Sequence, residues 1–129
     1  MSYRWFEHTA ELGLEVQAAS EEEVFLEAMR GLAELLDGGP GKPETCEIRL
    51  EARDRGGLLV GWLEELLFLA DAEGFVPEEA ELAVRGTSIQ ATVRGRLTGP
   101  RPLVKAVTYH GLELEPAGDG WRAKVVLDV

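Results

Sequence analysis

Hydrophobic and polar residues alternate along this chain with two different periods. Alternation every second residue predicts β-strands, and the stretches that show it best are 3–7, 12–18, 44–53, 79–85, 89–96, 103–115 and 121–128. Between residues 21 and 36 apolar side chains recur every three or four positions, which predicts an amphipathic helix. Ser20 followed by Glu23 has the spacing of a capping box at the start of this helix. Gly38 to Gly41 are predicted to end it.

A second helix is predicted at residues 58–71, where the sequence is apolar almost all round. Such a pattern is typical of a buried helix. The stretch is too short and too charged to cross a bilayer. Gly56-Gly57 are predicted to break the strand that precedes it. Glu64 and Glu65 are adjacent and point about 100° apart on a helix, so they cannot form one acid/base pair.

Two helices among strands that are mostly joined as hairpins favour the α+β class. We therefore expect a largely antiparallel sheet packed with two main helices. The 129 residues contain no repeat, low-complexity tract or long linker, so one domain, residues 1–129, is predicted.

Composition places the chain among soluble proteins of the cytoplasm. It is 45% hydrophobic and 29% charged, and no signal-peptide pattern or membrane-spanning run is present. Cys46 is the single cysteine, which excludes an internal disulfide and fits a reducing compartment. Cys46 itself is predicted to be a small core residue. The absence of Asn and the excess of Arg over Lys are typical of a thermophilic source.

The charge balance bears on the kind of partner. There are 13 basic and 24 acidic residues, giving a formal net charge of −11. Affinity for nucleic acid depends on clustered cations. This excess of acid therefore argues against strong direct RNA or DNA binding. It fits capture of a cation or contact with a basic protein.

Acidic groups near the two ends of the sequence form a candidate cation site. Glu11 precedes the strand at 12–18, and Asp128 and the carboxylate of Val129 follow the apolar end of the last strand. If these two strands pair, the three groups converge. Hard oxygen ligands select Ca²⁺, Mg²⁺ or Mn²⁺. The alternative is that Glu11 and Asp128 are merely solvated charges at strand ends.

Three further residues are candidates for site or partner contacts: His8, Lys105 and His110. A structural role for each histidine and an exposed strand position for the lysine are the alternatives. Alternation predicts that Lys105, Val107 and Tyr109 share one face of their strand. The sequence contains no recognisable nucleophile–base pair, zinc spacing or nucleotide-binding fingerprint. This argues against a free-standing enzyme.

Four blocks of sequence resemble the archease family. Residues 7–13, Glu-His-Thr-Ala-Glu-Leu-Gly, are similar to its Asp-His-Thr-Ala-Asp-hydrophobic-Gly opening. Residues 104–113, Val-Lys-Ala-Val-Thr-Tyr-His-Gly-Leu-Glu, resemble its late strand and are the most specific block. Residues 62–67 resemble its second helix, and 127–129 its Asp-Ile ending.

The resemblance implies an accessory protein of the RtcB-type RNA ligase of tRNA splicing. Members of that family promote guanylylation of the ligase by GTP and support its multiple turnover, and are not themselves the ligase. The resemblance also implies that Glu11, Asp128 and Val129 bind a divalent cation, Ca²⁺ in vitro with Mg²⁺ or Mn²⁺ as alternatives.

Two departures from the family pattern affect this expectation. Glu7 and Glu11 stand where the family has Asp, and the longer side chain moves each carboxylate outward by about one methylene. Residues 95–102 lack the acidic residues and the histidine expected in that loop.

The alternative function is a small metal-dependent hydrolase in which Glu11 and Asp128 hold the ion and His8 is the base. A third is a chaperone-like modulator of nucleic-acid enzymes.

Overall fold

Seven strands and two helices account for most of the residues that the structure describes. The structure is a computed structural model, and it describes residues 1–8, 11–36, 39–99 and 106–128, with residues 6–8 described by their backbone. In chain order the elements are β1 (Ser2–His8), β2 (Glu11–Ala18), α1 (Glu21–Leu36), β3 (Lys42–Glu51), α2 (Arg55–Glu73), β4 (Phe75–Arg85), β5 (Ser88–Leu97), β6 (Ala106–Ala117) and β7 (Gly120–Asp128).

The strands form two antiparallel sheets. One has the order β1-β2-β7-β6 and the other the order β3-β5-β4. The hairpins β1–β2, β4–β5 and β6–β7 are neighbours in sequence, whereas β2 pairs with β7 and β3 with β5 across long stretches of chain. The α+β prediction is confirmed. The division into two sheets could not be seen in the alternation alone.

Helix α1 matches its predicted bounds. The Ser20 hydroxyl accepts a hydrogen bond from the backbone N–H of Glu23 at 3.2 Å, which satisfies one of the free donors of the first turn. Three glutamates in that turn are favourable beside the positive end of the helix dipole. The apolar face of α1 is buried through Val24, Phe25, Ala28 and Leu32.

Helix α2 begins three residues earlier than predicted. The expectation that Gly56-Gly57 break the preceding strand was wrong, because β3 already ends at Glu51 and both glycines lie in the helix. Asp54 is the N-cap, in an extended conformation with φ −149° and ψ 173°, and its side chain accepts from Gly57 N at 2.6 Å. That bond makes both glycines part of the first turn, where the cap offsets their poor helix propensity. Gly74 ends the helix with φ 72°, a left-handed conformation that favours glycine.

A single hydrophobic cluster joins both sheets and both helices. Its fully buried side chains include Leu14 of β2, Phe25 of α1, Trp62 of α2, Val93 of β5 and Leu127 of β7. Inside this cluster the indole N–H of Trp62 donates to the carbonyl of Phe25 at 2.9 Å, which ties the two helices together. Cys46 was predicted to be a core residue; it is half-buried and packs against the edge of this cluster. None of the described helices is long and apolar enough to cross a membrane.

Candidate functional site

Glu11 and Asp128 lie directly opposite one another at one end of the four-stranded sheet. Glu11 opens β2 and Asp128 closes β7, and the antiparallel register pairs these two residues. The same cross-strand row continues outward on both sides, with His8 of β1 opposite Glu11 and Ala106 of β6 opposite Asp128. We refer to the two acidic residues as the carboxylate pair.

The alternation of the strands places the carboxylate pair on the outer face of the sheet. Leu14 and Val16 of β2, like Val125 and Leu127 of β7, are buried against the helices. Residues one position away therefore point to the other face. Asp128 is exposed and Glu11 is half-buried. The Cβ atoms of directly opposed residues lie about 4.5–5.5 Å apart, so both carboxylates reach the same volume of solvent.

Like charges placed directly opposite one another destabilise a sheet. A cation between the carboxylates would turn this repulsion into attraction, and carboxylate oxygens are the donors that Ca²⁺ and Mg²⁺ prefer. The donor chemistry of Glu11 and Asp128 therefore fits two ligands of such an ion. Among the described residues, no group of three or more His, Cys, Asp or Glu side chains is arranged to hold a metal.

Several other charged residues of this outer face form ion pairs with one another. Arg4 Nε lies 2.7 Å from Glu15 Oε2, and this hydrogen bond holds the pKa of Glu15 below its usual value. Arg122 lies 2.6 Å from Glu113 and 2.8 Å from Glu115. Hydrogen bonding to Glu115, together with both glutamate charges, raises the pKa of Arg122. The middle of the sheet face is thus locally neutralised.

Strand β6 carries a large bulge beside the site. Thr108 is opposite Val126 and Glu113 is opposite Lys124, so the four residues 109–112 lie between these pairs against the single residue Val125. The predicted alternation fails here. Val107 is buried while Tyr109 is exposed, so these residues do not share a strand face. Both Tyr109 and His110 are exposed on the bulge, and Gly111 within it has φ 69°.

The structure describes only some of the other predicted site residues. Lys105 and Val129 lie outside the described residues, and the imidazole of His8 is not described. The guanidinium of Arg96 on β5 lies 3.1 Å from Glu78 and donates a hydrogen bond to the carbonyl of Gly39 at 2.6 Å. The structure therefore brings Glu11 and Asp128 together and places the backbone of His8 beside them, while His110 lies on the neighbouring bulge.

Comparison with protein families shows which family the chain belongs to. The model of the archease protein family matches residues 3–129, which is nearly the whole chain. The chain belongs to the archease family. The match spans the carboxylate pair and the bulge of β6 alike, so both are parts of the family's domain in this chain.

Individual relatives agree over their full length. An archease of Methanosarcina acetivorans is 36% identical, with 98% of this chain and 95% of the relative covered. An archease of Thermococcus gammatolerans is 33% identical, covering 98% of this chain and 99% of that protein. The family assignment thus rests on similarity from end to end rather than on isolated motifs.

Solved structures of the family have the same fold. A Methanobacterium thermoautotrophicum protein solved in solution has a TM-score of 0.73 at 28% identity, covering 99% of each chain. A crystal structure of an archease from Thermotoga maritima, described as a possible chaperone, also has a TM-score of 0.73, at 26% identity, with 96% of this chain and 94% of that chain covered.

Proposed function

We propose that this protein is a metal-binding accessory factor that activates an RtcB-type tRNA-splicing RNA ligase. It would do so by promoting guanylylation of the ligase with GTP and by supporting repeated turnover. The observation that carries the proposal is the carboxylate pair, because Glu11 and Asp128 lie directly opposite one another at one end of the four-stranded sheet of an archease domain.

Glu11 and Asp128 would hold a divalent cation together with the carboxylate of Val129. Ca²⁺ is the ion we expect in vitro, and Mg²⁺ or Mn²⁺ would satisfy the same oxygen donors. Bound there, the ion would supply positive charge to an acidic tip and so attract an oxygen of the partner or of a nucleotide phosphate. The exposure of Asp128 leaves such a site open to a partner.

An accessory role agrees with the charge of the whole molecule. A net charge of −11 repels RNA but favours association with a protein whose surface is basic because it binds RNA. We therefore assign the catalytic chemistry to the ligase and not to this protein. We place both in the cytoplasm, where the lone Cys46 would stay reduced.

A multiple-turnover joining assay tests the proposal. The cognate ligase is supplied at low concentration with a large excess of cleaved tRNA halves, GTP and divalent cation. With this protein present, we expect the joined RNA to exceed the ligase concentration several-fold, and without it to stop near one equivalent. Equal yields in the two reactions would contradict the proposed function.

A further inference from the structure

The bulge of β6 is an ordered projection. The backbone N–H of His110 donates to the hydroxyl of Thr108 at 3.1 Å, which closes the start of the bulge on itself. Leu112 at its other end packs beside the first turn of α2, so closely that a Cβ at Gly56 would come within 2.9 Å of Leu112 Cδ2. The bulge is thus held at both ends.

The bulge also covers the outer face of the sheet. Val126 of β7 points to that face, opposite Thr108, yet it is only 5% exposed. A Cβ at Gly111 would lie 3.9 Å from Val126 Cγ2, so the bulge backbone passes over this valine. Gly111 adopts φ 69°, where a side chain would be strained, and a glycine at positive φ is common in β-bulges.

Tyr109 is a large, exposed aromatic residue on the bulge. It is 62% exposed, and among the described residues only Met1 and Phe68 are large hydrophobic residues of comparable exposure. Tyr109 follows Ala106 by three residues, and Ala106 is opposite Asp128. Three residues of extended strand span only about 10 Å, so the bulge begins close to the carboxylate pair.

The exposed ring of Tyr109, on a protein with a net charge of −11, is complementary to a positively charged group. The face of the ring attracts a cation, most often the planar guanidinium of arginine. Arginine and tyrosine are also the residues that dominate the energetics of protein interfaces. The net charge of −11 disfavours the alternative occupant, a nucleic-acid base with its phosphates.

We infer that Tyr109 anchors the protein partner by receiving an arginine- or lysine-bearing segment of the partner on its ring. The net charge of −11 favours the same basic segment. This inference rests on the proposed function, since the partner meant is the RNA ligase. It adds a contact surface, the β6 bulge, that is separate from the ligands of the ion.

The test compares two aromatic residues of nearly equal exposure. Tyr109→Ala removes the ring from the bulge, and Phe68→Ala removes a 60% exposed ring from α2 as the matched control. Affinity for the immobilised ligase is measured by surface plasmon resonance. We expect Tyr109→Ala to weaken binding at least tenfold and Phe68→Ala to leave it within about twofold. Tyr109→Phe, which keeps the ring, should retain most of the affinity.

The outcomes separate this inference from the proposed function. If the unaltered protein does not bind the ligase, the proposed function fails, and the inference fails with it. If the unaltered protein binds and Tyr109→Ala binds equally well, the bulge is not the anchor and only the inference is overturned. Weaker RNA binding by Tyr109→Ala with unchanged ligase binding would likewise overturn it, in favour of base stacking.

Discussion

Asp128 lies on the outer face of the sheet because the residue before it, Leu127, is fully buried against the helices. The position of the carboxylate is therefore set by the packing of its neighbour rather than by contacts of its own. Leu14 and Val16, which follow Glu11 in β2, are also fully buried, so the alternation of the strand places Glu11 on the outer face too. Both side chains contribute little to the core, so changing either should affect binding more than folding.

Asp128→Ala should weaken binding of Ca²⁺ at least tenfold, since it removes a carboxylate ligand from the proposed ion. Isothermal titration calorimetry measures this, with Asp119→Ala as a control. Asp119 is an equally charged, exposed residue in the turn at the other end of β7, and its replacement should leave the affinity unchanged. Equal weakening by both variants would show a general effect of charge, and loss of cooperative melting would show that Asp128 is structural.

Tyr3 gives the protein a predictable response to alkali. Its hydroxyl donates to Glu34 of α1, and this hydrogen bond, with a smaller contribution from burial, raises the pKa of Tyr3 to about 12. The stability that the bond supplies is fully present below the unfolded pKa of about 10 and is lost as the pH rises through the folded pKa. Between pH 10 and 12 the free energy of unfolding should therefore fall more steeply for the unaltered protein than for Tyr3→Phe. Urea unfolding across that range measures the difference, and parallel profiles would contradict it.

At the scale of elements, patterns that depend on near neighbours were predicted well. Helix α1 has both a cap and an apolar face in its sequence, and its bounds match. Helix α2 was predicted too short because Asp54 was not recognised as its cap, so Gly56-Gly57 were interpreted as a break. The β6 bulge was missed because it depends on pairing with β7, although the glycine at position 111 was a visible signal.

Replacing the N-cap of α2 should destabilise the fold measurably. Asp54→Ala removes the acceptor of the Gly57 N–H bond and should lower the free energy of unfolding by about 1 kcal/mol. Asp71→Ala is the control within the same helix. Asp71 is an exposed acid near the negative end of the helix dipole, so its removal should be neutral or slightly stabilising. Urea unfolding distinguishes the two, and an equal loss in both variants would exclude a capping effect.

For the whole molecule, the sequence predicted the class of fold and which residues might meet, but not their geometry. Pairing of β2 with β7 joins the beginning of the chain to its end, and only this long-range register places Glu11 opposite Asp128. Similarly, Arg96 of β5 is paired with Glu78. Its partner comes from β4 and could not be identified from local sequence.

The overall charge leads to a prediction about RNA. With a net charge of −11, and with Arg4, Arg96 and Arg122 already engaged by glutamates, the protein should bind RNA weakly. At near-physiological salt we expect a dissociation constant no tighter than the non-specific range of roughly 10⁻⁴–10⁻⁶ M. Fluorescence anisotropy with cleaved tRNA halves, repeated at several salt concentrations, measures this. Tight, salt-sensitive binding without ligase would favour a direct role in handling RNA.

The central claim is that the carboxylate pair serves activation of the ligase, and a guanylylation time course tests it most directly. Purified ligase, labelled GTP and divalent cation are incubated alone, with this protein, and with Asp128→Ala or its control Asp119→Ala. We predict that the unaltered protein and Asp119→Ala accelerate formation of the ligase–guanylate adduct and that Asp128→Ala does so at least tenfold less. An unchanged rate on adding the unaltered protein, or full acceleration by Asp128→Ala, would contradict the account.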